Sequence, residues 1–349
     1  MTKTKGNPLT KTKSKPAVKY RRMPKSFDEW KTWLRRKGGG ILLSALRYAL
    51  ILCIGMIILM PILEMISGTF MSPNEVGSPV SKWVPSSFSI EHIYVAFQLL
   101  NYPKALLYTL GTTALQVVLQ ILSAAVTGYS FARLRSKKLQ KLFAIVILTI
   151  VVPPSVLMLP EYMFFRNFDI LGIIEAITGS PLNLLGKPIV LYILDFFGMG
   201  LKAGLYIFIF RQFFRGLPRE LEEAAHMDGC SFLRTLFSII LPNAVPGIIT
   251  VGVLSFVWNW NDTYYTNLFV ANKLNLMVKL NDVSGDMENT VAAIGRKVPA
   301  DFVFNTSSTL YQGSILTASS LLVILPLIVL YMFIQKRFVE SASNAGIVG

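Results

Sequence analysis

The stretch Glu223-Ala224-Ala225-His226-Met227-Asp228-Gly229, continued by Ile239-Ile240-Leu241-Pro242, is a polar segment set between two long apolar runs. Its fixed points are Glu-Ala-Ala, a glycine after three residues, an isoleucine after nine more, and Leu-Pro one residue beyond. The local chemistry predicts helix–turn–helix over 216–242. Leu217-Pro218 opens the first helix, since proline suits the first helical position. Glu220, Glu222 and Glu223 fall in its first turns, where the helix dipole favours negative charge. Ala224 and Ala225 keep this helix thin and are expected to turn a small-residue face to the cytosol. Asp228-Gly229 ends it, because glycine takes a left-handed cap at little cost. Ser231 is expected to cap a second short helix with Phe232, Leu233, Leu236, Phe237 and Ile240 on its apolar side, which Pro242 stops. A generic interfacial helix is usually rich in Lys and Arg. The acid-rich start here points to a basic groove on another protein, with a loop lying on lipid as the alternative.

Outward from this segment, 53% of the chain is hydrophobic and several runs reach the roughly 20 residues that cross a bilayer core. Six qualify, over 44–66, 105–132, 142–159, 189–214, 245–270 and 312–334. Continuous apolar runs read as helices, since barrel strands would alternate. The fold class is therefore all-α membrane protein with six transmembrane helices. Its parts are a basic cytoplasmic tail (1–43), one six-span membrane domain (44–335) and a short cytoplasmic C-terminal tail (336–349). Pro61, Pro153, Pro154, Pro246 and Pro326 would kink or loosen spans.

Charge sets the orientation. Residues 1–47 carry +12 of the net +15, and a basic tail abutting a span reads as lying on anionic lipid, not on nucleic acid. Basic clusters follow the second span (Arg133, Arg135, Lys137, Lys138, Lys141), the fourth (Arg211, Arg215, Arg219, Arg234) and the sixth (Lys336, Arg337). In the alternate loops the bases, such as Lys82, Arg296 and Lys297, are mixed with Asp286, Glu288, Asp301 and other acids. Both termini and the 216–242 segment are thus expected in the cytoplasm. No cleavable leader is apparent, and the first run lasts long enough to remain as a span.

Several chemistries are unsupported. No phosphate loop occurs, since Gly186-Lys187 runs into Pro188 and lacks the upstream glycine. With His92 and His226 as the only histidines, and no C-x-x-C or H-E-x-x-H, metal binding has no motif. The histidines read as solvated or structural, Cys53 as buried filler and Cys230 as a loop residue. No catalytic residue and no cofactor are expected in this chain.

The 216–242 segment resembles the EAA signature of the membrane subunits of ATP-binding-cassette (ABC) importers. Other stretches narrow the likeness: Gly128-Tyr129-Ser130-Phe131-Ala132-Arg133, Pro153-Pro154, Pro160-Glu161-Tyr162, Arg211-Gln212-Phe213-Phe214, and 255–262. Together they resemble the shorter, six-span permease of the maltose-type carbohydrate importers, from about residue 45 onward. The segment 171–187 departs from that family, being longer and richer in Gly and Pro. The resemblance implies the fold of type I importer permeases and a bacterial plasma (inner) membrane location. It implies coupling through Glu223, Ala224, Ala225, Asp228 and Gly229 to a separate ABC ATPase dimer, which binds the ATP and Mg. A second permease in a heterodimer, an extracytoplasmic solute-binding protein and a sugar substrate, an oligosaccharide above all, complete the expected assembly. The alternatives are an importer of glycerol phosphate or a polyamine and, more remotely, an ion-driven secondary transporter. A phosphorylated solute would need pathway cations beyond Lys202; a secondary transporter would need internal repeats and several buried acids.

The fifth run holds Trp258-Asn259-Trp260-Asn261-Asp262. Amides, a carboxylate and indole faces are what a sugar's hydroxyls and C–H surface require. The same residues also suit an interfacial aromatic belt with asparagines bonding neighbouring helices, and both readings stay open. Asp195 and Lys202 are expected two turns apart on one face of the fourth span.

Overall fold

The computed structural model describes residues 27–76, 84–134, 136–285, 289, 294 and 308–347. The tail 1–26, Lys82, Arg135, Asp286, Glu288, Arg296, Lys297, Asp301 and the last two residues lie outside them. Two compact units are present, Met1–Ile62 and Leu63–Gly349. Among the described residues the only β pairing is three isolated bridges, so the fold is all-α as expected.

The helix α1 (Phe27–Phe70) begins in the first unit and ends in the second. Within 42–62 its apolar side chains, Leu46 and Ile57 among them, are exposed, as suits a helix with lipid for a neighbour. Cys53, expected to be buried, is exposed there too.

The second unit continues with α2 (Glu91–Leu99), α3 (Tyr102–Arg133), α4 (Lys137–Val151), α5 (Pro154–Arg166) and α6 (Ile173–Thr178). Next come α7 (Ile189–Phe196), α8 (Ala203–Gly216), α9 (Glu220–Met227) and α10 (Phe232–Thr235). A π-helical turn (Leu236–Ile240) leads to α11 (Leu241–Asn243), α12 (Val245–Trp260), α13 (Tyr264–Phe269), α14 (Leu276–Gly285) and α15 (Thr309–Ile347).

Among the described residues three helices are long and apolar enough to cross a membrane, over Leu42–Phe70, Tyr102–Arg133 and Thr309–Lys336, close to the first, second and sixth expected spans. Two further spans are bent pairs, α4 with α5 at 103° and α10–α11 with α12 at 85°, giving up to five. The first elbow falls at Pro153, where tandem prolines remove hydrogen-bond donors and hold the chain extended. The expected fourth span is not one helix. It breaks between Phe197 and Lys202 into α7 and α8, with Gly198 at φ +70° and Lys202 at +61°. The expected face shared by Asp195 and Lys202 is lost with it.

Small residues let the helices approach. A Cβ on Gly128 would stand 2.8 Å from the Phe210 Cβ and 3.1 Å from the Ile207 carbonyl, so glycine is what seats α3 on α8. Around that crossing Tyr129, Tyr206, Phe210, Phe214, Leu236, Ile240 and Val251 form one core cluster. A second cluster gathers Val95, Leu100, Trp260, Leu276, Tyr311 and Ile315. His92 is fully buried with its ring 5.3 Å from that of Tyr311, a packing role and not a solvated one.

Candidate functional site

The 216–242 segment folds as a rigid bracket. Pro218 lies one residue ahead of the α9 N-cap, Arg219, not at the first helical position, and Glu220, Glu222 and Glu223 occupy the first turn. At the other end the Cys230 N–H donates to the Ala225 carbonyl (2.9 Å) and the Gly229 N–H to that of His226 (3.0 Å). With Gly229 at φ +74°, this is the Schellman cap that only glycine enters cheaply. Ser231 stands at the next N-cap position, but its side chain makes no capping bond. From there the chain runs through α10, a π turn and α11 in place of one regular helix. This second arm buries Leu236 and Ile240 and leaves Phe232, Leu233 and Phe237 exposed.

The bracket is bolted to the bundle. Arg133, at the end of α3, pairs through Nε with Glu222 and donates from Nη2 to the Leu217 carbonyl at 3.2 Å. Tyr129 packs edge-on to Phe214 and 4.8 Å from the Phe232 ring. Ala225 is 1% exposed and faces this core, not the cytosol, whereas Glu223, Ala224, Asp228 and Gly229 are exposed. One acid of the signature is thus tied inward and the next is free to meet a partner.

Gly229→Val tests the cap. Nothing lies within 4 Å of the added Cβ, so only the backbone penalty of about 1–2 kcal/mol acts. Gly229→Val is expected to lower the thermal midpoint accordingly and Gly229→Asn to leave it near wild type, because asparagine tolerates the left-handed region.

The five residues of the fifth run separate. Asn259 is 3% exposed and joins a buried polar ladder. Its Nδ2 donates to Gln120 Oε1 (3.0 Å) and the Ser255 carbonyl (2.9 Å), and its Oδ1 accepts from Gln116 Nε2 (3.4 Å). Gln120 Nε2 donates to Asp195 Oδ1 at 2.5 Å, and Ser255 Oγ donates to Gln120 Oε1 at 2.5 Å. The ladder joins α3, α7 and α12, and a Cβ on Gly200 would collide with the Asp195 carboxylate. Gln116 and Gln120 were not among the residues singled out by sequence. Their signal was present: Thr109, Thr113, Gln116 and Gln120 are all buried and recur on one face of α3.

Trp260 is fully buried, with Nε1 donating to the Val323 carbonyl at 3.3 Å and its ring stacked on Phe256. It is a packing anchor and offers no face to a solute. Asn261 donates to the Val257 carbonyl within its own helix. Asp262 caps α13: Oδ1 accepts from the Tyr264 and Tyr265 N–H groups, and Oδ2 from the N–H and Oγ1 of Thr266, both at 2.9 Å. Trp258 is 42% exposed, with Lys202 Nζ 4.6 Å from its ring centroid. Asp262→Ala is expected to destabilise the protein by about 1–2 kcal/mol, the usual worth of a cap. A lowered thermal midpoint in detergent checks this; an unchanged midpoint would leave Asp262 as a pathway group alone.

Residues 124–343, well over half the chain, match the family described as binding-protein-dependent transport system inner membrane component. The chain belongs to that family. This inner-membrane component is 24% identical over 315 residues to a polygalacturonan/rhamnogalacturonan transport system permease of Bacillus subtilis (strain 168), covering 88% of this chain and 99% of the relative. It is 25% identical over 275 residues to the melibiose/raffinose/stachyose import permease MelC of the same strain, covering 78% and 86%. A solved structure of a bacterial ABC transporter involved in import of the acidic polysaccharide alginate superposes with TM-score 0.63 at 19% identity, over 86% of this chain and 98% of that one. It shares the fold. The family match begins at Ala124 and takes in the bracket and both halves of the broken fourth span.

Proposed function

We propose that the chain is one of two permease subunits of an ABC importer for sugars, oligosaccharides above all, and forms half of the translocation pathway. The observation that carries this is the bracket: an exposed Glu223 on a glycine-capped helix, fastened through Glu222 and Arg133 to the long helix α3. The family supplies the activity, and the solutes named for relatives, neutral and acidic saccharides alike, supply the substrate class.

In this reading a separate ATPase dimer binds ATP and Mg and grips α9. Its closure pulls the bracket, Arg133 passes the motion to α3, and the polar ladder carries it to α7 and α12. The bundle then opens outward to take solute from an external binding protein. In this reading the bracket and both termini face the cytoplasm, and the basic tail 1–43 would meet anionic lipid. Trp258 and Lys202 are the pathway residues the geometry favours, since Asn259, Trp260 and Asp262 are engaged in holding the fold. No group in the chain need do catalysis.

Deleting the gene should abolish uptake of a neutral or acidic oligosaccharide by intact cells, with recovery when the chain is restored. Loss of glycerol phosphate or polyamine uptake, with every oligosaccharide still entering, would overturn the sugar reading.

A further inference from the structure

Beside the proline elbow, between α4, α5 and the 197–202 break, lies a cavity of about 200 Å³. Glu161, Lys202, Tyr265 and Thr149 stand in its wall among apolar groups such as Pro154 and Met199. Glu161 is only 9% exposed, and its Oε2 is buried without a hydrogen-bond partner. A buried carboxylate oxygen left so is costly unless something comes to meet it. Among the described residues no carboxylate lies within ion-pair distance of Lys202, whose ammonium rests against the Trp258 ring instead.

Lys202 is delivered by irregular backbone, Glu161 by the helix α5 directly after its Pro160. Glu161 lies beyond the bend at Pro153-Pro154, and Lys202 sits in the left-handed N-cap of α8. Neither belongs to the polar ladder, which uses Asp195. Lys202 is fourteen helical residues from Gly216, about 21 Å along α8. The one cavity thus holds an acid with an unpartnered carboxylate oxygen and a base whose contact is an aromatic ring, not a carboxylate.

We propose that this cavity is a subsite for one ring of a neutral sugar, with Glu161 accepting hydroxyl protons and Lys202 donating to hydroxyl or ring oxygens. It rests on the sugar-import reading above. Charge selects the class: the two groups cancel, so an uncharged polyol enters without net repulsion, while a uronate ring must set its carboxylate in the same small space as Glu161. Pro154 and Met199 suit the C–H faces of the ring, and Trp258, exposed beside Lys202, gives the next ring a stacking surface.

The test is ATP-driven uptake by cells carrying the complete importer, with a panel of neutral trisaccharides (maltotriose, raffinose, xylotriose) and trigalacturonate as competing solutes. Wild type is expected to take up at least one neutral sugar and to prefer it to trigalacturonate. E161Q should raise the half-saturating concentration of that sugar roughly tenfold and shift the preference toward trigalacturonate. K202M should weaken the neutral sugar similarly and shift the preference the other way. Opposite shifts, with wild-type amounts of assembled complex, support the subsite, because a purely structural role would move both solutes together. Equal effects on both solutes, or none, with sugar still imported, would overturn the subsite and leave the import reading standing. A wild-type importer that takes up none of the panel but carries a non-sugar solute would overturn both.

Discussion

Glu223→Lys is expected to abolish ATP-driven uptake while the chain remains inserted and at normal abundance. Glu223 is exposed and makes no contact that holds α9 in place, since the helix is fastened through Glu222 to Arg133 and through Ala225 to the core. Reversal of its charge therefore spares the fold. It also sets a cation in the first turn of a helix, where the dipole disfavours it, and presents that cation to a partner groove expected to be basic. Removing one member of a close charge pair across an interface costs about 2–5 kcal/mol, and opposing like charges adds to that. Co-purification of the ATPase with the membrane fraction should fall with uptake. Full uptake together with a retained ATPase would show that this side chain does not meet the motor. Arg133→Ala acts differently: the ATPase should still dock, but the bracket, left held to α3 by the Tyr129 packing, would be loosened, so hydrolysis should persist with transport reduced.

The second large effect is on folding. Trp260→Ala should destabilise the protein by about 3–5 kcal/mol, as removal of a fully buried large aromatic does. Its indole fills the cluster with Leu100, Tyr311 and Ile315, and its N–H satisfies the Val323 carbonyl. The variant should reach the membrane at reduced levels and unfold at lower temperature, with uptake falling in proportion to the amount present. Trp258→Ala should give the converse: normal abundance and impaired uptake. A Trp260→Ala protein of normal abundance and stability that loses only sugar uptake would restore Trp260 to the pathway.

The contrast between these tryptophans shows what the sequence could and could not reveal. Composition marks 258–262 as polar and aromatic inside an apolar run, but not which residue faces which way. Helical phase decides it: Ser255 and Asn259 fall on one face and meet Gln120, while Trp258 falls on another. That phase is readable only once the neighbouring helix is in place. The break in the fourth run was written in Gly198 and Gly200, yet the flanking Leu, Ile and Phe carry the apolar average across it. The elbow at Pro153-Pro154 and the turn at Gly229 were legible because proline and glycine act locally, through their own backbone. Ala225 shows the limit: its small side chain serves close packing against the bundle as well as a slim helix.

Helix α3 is pinned at four heights to four different elements. Tyr102 Oη donates to the Leu322 carbonyl (3.0 Å), Thr109 Oγ1 accepts from the Leu276 N–H (2.9 Å), Gln120 holds Asp195, and Arg133 holds Glu222. A rod fixed in this way cannot lean at one end alone. At about 0.6 kcal/mol for each interhelical bond, four pins cost roughly 2–3 kcal/mol to slip together. Forms with all four pins released are then held to the order of one per cent of the population. In the importer proposed above, a tug too weak to release every pin leaves the bundle where it was, so a partial stroke of the ATPase would open no path.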